Sequence, residues 1–142
     1  MENIKPVRTQ VGIISGRDAL YLDEIKFDYK KNIITFIGEI NGELCSASKI
    51  KGFIHYKMNF KDVLYFKMIE LDVSLFESQS SFGMESCIVE LLETDMLMNI
   101  EKARGVNSRH FVVSTYDDVF NIVCKELEIV IYDSSSIGQN FI

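Results

Sequence analysis

From Ala19 to about Gln79, apolar and polar residues alternate with a period of two. In "DEIKFDYKKNIITFIGEI", Ile25, Phe27 and Tyr29 alternate with Lys26, Asp28 and Lys30; the pattern breaks at "KKN" and resumes with Ile34, Phe36 and Ile40 on one face. Side chains on a strand point to opposite faces in turn, so this spacing predicts two antiparallel strands. Asn41-Gly42 readily takes the positive φ angles of a type I′ turn, and predicts a second hairpin between "FIGEI" and "ELCSAS". In "IKGFIHYKMNF", Ile50, Ile54, Tyr56, Met58 and Phe60 fall on one side, with Lys51, His55, Lys57 and Asn59 on the other, and Gly52 leaves room for a bend. "VLYFKMIELDVSLF" is apolar at nearly every position, as in a strand covered on both faces or a curved sheet closing on itself. Five or so consecutive antiparallel strands make a curled meander.

The texture changes after the serine cluster "ESQSS" (77–81), which predicts a loop. "SCIVELL" reads as a strand. "TDMLMNIEKARG" reads as a short helix, with Thr94 as N-cap, Asp95 in the first turn, Lys102 and Arg104 in the last and Gly105 as the stop, and with Met96, Leu97 and Ile100 facing inward. "HFVVS" alternates as a strand. Thr115 then precedes Tyr116, Val119, Phe120, Val123 and Leu127, a spacing that makes one apolar face of a second helix. In that reading Asp117 and Asp118 occupy the first turn, where the helix dipole stabilises carboxylates and no catalysis is needed to explain them. "ELEIVIY" gives a last strand. The expected fold is α+β: a curled antiparallel β-meander, a partly open barrel-like sheet, with two short helices in the C-terminal half. One domain spans 1–142, with about 1–10 and 133–142 frayed.

Length and composition support that picture. A chain of 142 residues can bury roughly 70% of its unfolded surface in one core. Apolar residues at 47% and charged residues at 25% argue against extensive disorder, and one proline among eight glycines leaves no linker. The opening "MENIKPVRTQ" lacks the basic start and apolar block of a signal peptide, and no run approaches a membrane span, so the expected location is the cytoplasm. Cys45, Cys87 and Cys124 are odd in number and far apart, which points to reduced, partly buried thiols rather than disulfides or a zinc knuckle.

Charge divides unevenly along the chain. Residues 1–71 carry eleven Lys or Arg against nine Asp or Glu, net +2, and residues 72–142 carry four against twelve, net −8. The second half would repel phosphate, which disfavours nucleic acid and favours a basic protein partner. The candidate partner-binding residues are Glu90, Glu93, Asp95, Glu101, Asp117, Asp118, Glu126 and Glu128. Lys49, Lys51, Lys57, Lys61 and Lys67 form a basic series, read as a solvated face or as edge protection, with a docking patch as the functional alternative.

The last third of the chain, "ETDMLMNIEKARG" followed by "RHFVVSTYDDVFNIVCKELEIVI", resembles a pattern found in small, mostly uncharacterised proteins of Gram-positive bacteria. That pattern has an acidic-polar helix cap, a short helix, a strand with an aromatic pair, and then Tyr-Asp-Asp/Glu-Val-Phe. Its first helix usually carries tryptophan where this chain has Met96 or Leu97. No catalytic residues come with the resemblance. Some such proteins are immunity or antidote partners of toxins, so it implies a binding role.

Catalytic and metal chemistry find little purchase. His55 and His110 have no ligand-type residue at i±2 or i±4, so neither a metal nor another cofactor is expected. A Cys-His pair from Cys87 or Cys124 with His55 or His110 would have to be assembled by the fold. "GVNSRH" and "SGRD" lack the glycine spacing of a nucleotide cradle. Two readings stand: a non-catalytic cytoplasmic binding protein using its acidic C-terminal surface, or a barrel-like sheet holding a small apolar ligand or a small hydrolase site at its mouth. The second requires a pocket lined by aromatic and methionine side chains with His55, His110 or Tyr116 at its rim.

Overall fold

The computed structural model describes residues 3–74 and 86–132, together with the backbone of 137–141. Among the described residues ten strands and two α-helices follow one another as β1 (Asn3–Pro6), β2 (Leu20–Asp28), β3 (Ile33–Asn41), β4 (Phe53–Lys61), β5 (Tyr65–Glu70), α1 (Leu71–Ser74), β6 (Ile88–Leu92), α2 (Asp95–Arg104), β7 (Arg109–Ser114), β8 (Asp118–Cys124), β9 (Glu126–Tyr132) and β10 (Ile137–Phe141). They form two antiparallel five-stranded sheets, in the orders β1-β6-β7-β8-β5 and β10-β9-β4-β3-β2, neither closed into a barrel.

One bent ribbon joins the two sheets. β4 pairs with β9 in the second sheet, and their continuations β5 and β8 pair in the first. The bend falls at Asp62, whose φ is 57°, and at Lys125, whose N–H donates to the Lys61 carbonyl at 3.0 Å. Strands that switch sheets through such corners let two sheets share one interior.

The inward rows fill that interior. Leu20, Phe36, Ile40, Tyr56, Met58, Phe60, Leu127 and Ile129 from one sheet meet Ile88, Phe111, Val113, Phe120 and Ile122 from the other. Phe36 sits 5.0 Å from Phe60 and 4.7 Å from Phe120, ring centre to ring centre. Each such side chain taken from water contributes about 1.5–3 kcal/mol. Gly38 lies opposite Tyr56 in this packing; a Cβ there would stand 2.0 Å from the Tyr21 carbonyl oxygen.

The β2–β3 hairpin forms across "KKN" as the alternation requires, with Asn32 in the left-handed region. α2 begins at Thr94, whose Oγ1 accepts from the Leu97 N–H at 3.2 Å, and ends at Gly105 with φ 66°. Met96, Leu97 and Ile100 are half-buried.

Four expectations change. The second helix does not form, because 118–124 is β8: Phe120, Ile122 and Cys124 face the core while Val119, Asn121 and Val123 face the other side. Among the described residues the C-terminal half holds one helix, α2, and the other short helix, α1, follows β5. The meander stops after β4, since β5 leaves for the other sheet. Asn41-Gly42 opens a 3₁₀ turn rather than a hairpin, because the backbone of 44–47 bonds to Val11, Ile13 and Ser15. Towards the two ends, β1 pairs with β6 and β10 with β9. The loop expected at 77–81 lies outside the described residues.

Candidate functional site

The stretch "RHFVVSTYDDVF" is a hairpin, and its tip is the best-organised exposed feature among the described residues. Thr115 N–H donates to the Asp118 carbonyl at 2.8 Å, and Thr115 Oγ1 accepts from the Asp118 N–H at 3.1 Å, so Tyr116 and Asp117 form a two-residue turn. Neighbouring elements hold it on both sides. Tyr116 N–H donates to the Leu20 carbonyl and Leu71 N–H to the Asp117 carbonyl, each at 2.9 Å. The tip therefore bridges the two sheets.

A row of rings runs outward from it. The Arg17 guanidinium lies 4.8 Å from the centre of the Tyr116 ring, Tyr116 stacks on Tyr21 at 5.3 Å and 23°, and Tyr21 meets the edge of Phe53 at 5.6 Å. Phe53 is 57% exposed and Tyr116 36%. Carboxylates surround the row. Partial burial and then Asp18 raise the Tyr21 phenol above its ordinary value. Desolvation, followed by Asp117 and Glu70, raises the Asp118 carboxyl. Three rings, an arginine clamp and four acids thus share one end of the molecule.

The eight candidate acids occupy four places rather than one. Asp117 and Asp118 are at the tip. Glu90 faces the interior of the first sheet, where Arg109 grips it through two hydrogen bonds of 2.8 and 2.6 Å. Glu93, Asp95 and Glu101 surround α2; Glu93 and Glu101 flank an open groove of about 450 Å³ whose walls include Leu97, Met98 and Val106, and where the buried Ser108 Oγ has no partner. Glu126 and Glu128 lie on the outer face of the second sheet, 3.6 and 3.8 Å from Lys61 Nζ. Asn59 Nδ2 donates to Glu128 at 2.7 Å and Thr35 Oγ1 to Asn59 at 2.8 Å, a polar ladder across three strands.

His110 is built into a hydrogen-bonded chain across β7 and its neighbours. It is 3% exposed on the outer face of β7, with Nδ1 3.0 Å from Thr94 Oγ1 and Nε2 3.1 Å from Asn121 Oδ1. An amide oxygen accepts only, which assigns the proton to Nε2; Nδ1 then accepts from the Thr94 hydroxyl. Asp118 belongs to the opposite face of the sheet and lies five residues from Val123, the partner of His110, or about 16 Å along the strand. Cys124 also faces away from His110. Burial pushes the Cys87 and Cys124 thiols up to about 12 and Cys45 up to about 11, so none is poised as a thiolate. His55 is exposed on the outer face of the second sheet, in one row with Glu39 and Tyr132. Among the described residues no group of three or more His, Cys, Asp or Glu is placed to hold a metal, and no helix is long and apolar enough to cross a membrane.

Comparison with family models, curated proteins and solved structures finds no match for this chain. Arg17, Tyr21 and Phe53 were not among the expected site residues, although two of them left a signal. Tyr21 and Phe53 occupy the outward positions of alternating strands, where a ring facing solvent is the exception.

Proposed function

We propose that this chain is a non-catalytic protein-binding module, of the immunity or antidote type, that docks a basic partner on the β7–β8 tip. The observation that carries the reading is the row Arg17–Tyr116–Tyr21–Phe53, exposed at Arg17, Tyr116 and Phe53 and half-buried at Tyr21, with Asp18, Glu70, Asp117 and Asp118 around it. Tyrosine and arginine dominate interface hot spots because they bring large, stiff contact area with a polar handle. Ring faces accept guanidinium groups, and flanking carboxylates steer them. Of the eight candidate acids, Asp117 and Asp118 remain central to this reading; the other six lie elsewhere.

A nona-arginine peptide tests it by calorimetry. Expected is saturable binding that weakens from 50 to 300 mM NaCl, because exposed charges are screened over about a Debye length. Tyr116→Ala should cost about tenfold or more, and Asp117→Asn with Asp118→Asn should flatten the salt dependence. Equal binding by the wild type and Tyr116→Ala overturns the proposal.

A further inference from the structure

β2 is the last strand of its sheet, so its outer edge carries no further strand among the described residues. An open sheet edge is a template for pairing with another chain. A bulge between Leu22 and Glu24 interrupts the start of β2, and beyond it the strand pairs regularly with β3 through Asp28. Two large apolar side chains stand in water along this stretch: Phe27 is 64% exposed and Tyr29, the first residue of the turn, 97%. Phe27 shares the inward face with Ile34, its partner on β3, and meets Phe66 edge-on at 5.7 Å.

The stretch Glu24–Lys30, "EIKFDYK", is complementary to its own reverse about Phe27. Laid antiparallel against a second copy, Phe27 faces Phe27, Ile25 faces Tyr29, Lys26 faces Asp28 and Glu24 faces Lys30. Strand alternation then gathers the apolar pairs on one face and the pairs of opposite charge on the other. Unlike charges and aromatic or branched side chains directly opposite each other stabilise a sheet, whereas like charges destabilise it. That decides the register. Centring on Lys26 would set lysine on lysine and Glu24 on Asp28; centring on Asp28 would set acid on acid and Lys26 on Lys30. Centring on Ile25 runs the pairing into the bulge. β2 ends at Asp28, so Tyr29 and Lys30 take part from exposed positions in the turn. Among the described residues no ion pair holds Glu24, Lys26 or Lys30, and Asp28 Oδ1 accepts from the Lys31 N–H at 3.1 Å.

We propose that the β2 edge is a homodimer interface, in which two copies of this chain pair antiparallel about Phe27 and join their second sheets into one. The same stretch serves on both copies, so the contact closes on a two-fold axis and consumes both β2 edges. It shares no residue with the row Arg17–Tyr116–Tyr21–Phe53.

Sedimentation equilibrium over about 1 µM to 1 mM protein provides the test. The wild type should pass from monomer to dimer within that range. Lys26→Glu sets an acid against Asp28, and Asp28→Lys sets a base against Lys26; symmetry doubles each clash, and either variant should weaken self-association by about tenfold or more. Both positions are exposed. Mixed one to one, each variant supplies the charge that the other lacks, so a heterodimer about as tight as the wild-type dimer should form. A wild type that stays monomeric throughout, single variants that dimerise as tightly as the wild type, or a mixture no tighter than either variant alone overturns the proposal.

Discussion

Replacing Thr94 by valine removes one hydroxyl and keeps the side-chain shape, at a residue 2% exposed. That hydroxyl does two things: it accepts from the Leu97 N–H to open α2, and it donates to His110 Nδ1. Losing an N-cap costs about 1 kcal/mol, and removing the hydroxyl donor from a buried imidazole nitrogen costs about 1–3 kcal/mol. Thr94→Val should therefore destabilise the fold by about 2–4 kcal/mol, which moves a urea midpoint down by about 1–2 M. The comparison is Thr115→Val, also buried, whose hydroxyl bonds only within the hairpin tip, to Asp118. There the freed groups lie beside solvent and the cost should be about 1 kcal/mol. Equilibrium urea unfolding followed by far-ultraviolet circular dichroism measures both. A Thr94→Val midpoint indistinguishable from the wild type, or no lower than that of Thr115→Val, would show that the Thr94–His110–Asn121 chain is not the scaffold described.

Three further outcomes are expected. Gly38→Ala should lose about 3 kcal/mol or more in thermal or urea unfolding, because the new Cβ meets backbone that cannot move aside. The Asp118 carboxyl is raised in the folded state, so the fold gains from this group below its ordinary titration range and loses that gain as pH rises through the raised value. Asp118→Asn should accordingly be slightly more stable than the wild type at pH 7, by a few tenths of a kcal/mol for a half-buried carboxyl still screened by solvent, with the gap closing below about pH 4; a variant less stable at pH 7 contradicts this. Iodoacetamide at pH 8 should label the folded protein slowly, Cys45 first, and all three thiols rapidly in urea, as mass spectrometry would show; fast labelling of folded Cys124 would contradict its burial.

Two threonines show what the sequence makes legible. Thr94 and Thr115 each accept a hydrogen bond from the N–H three residues on, which is the bond of a helix cap. After Thr94 come Met, Leu and Met, which lose little rotamer freedom in a helix, and α2 follows from the cap to Gly105. After Thr115 come Val119, Ile122 and Val123, whose branched side chains favour a strand, and the chain folds back instead. The alternation was obscured because β8 is covered on both faces, so Val119 and Val123 on one side and Phe120 and Ile122 on the other read as a continuous apolar run. The corner at Asp62 and the bonding of 44–47 to 11–15 rest on long-range contacts that local periodicity does not encode. The tip's acids were visible as a run; the stacking of Tyr116 on Tyr21, 95 positions away, follows from the strand-switching topology alone.

Where a basic ligand touches the molecule tests the proposed docking tip most directly. Residue-resolved ¹H–¹⁵N spectra of the protein with nona-arginine should shift Arg17, Tyr21, Phe53 and Tyr116 to Asp118, and leave the α2 groove and the Glu126–Glu128 face unmoved. Shifts centred on Glu93 and Glu101, or spread evenly over all the acids, would contradict it.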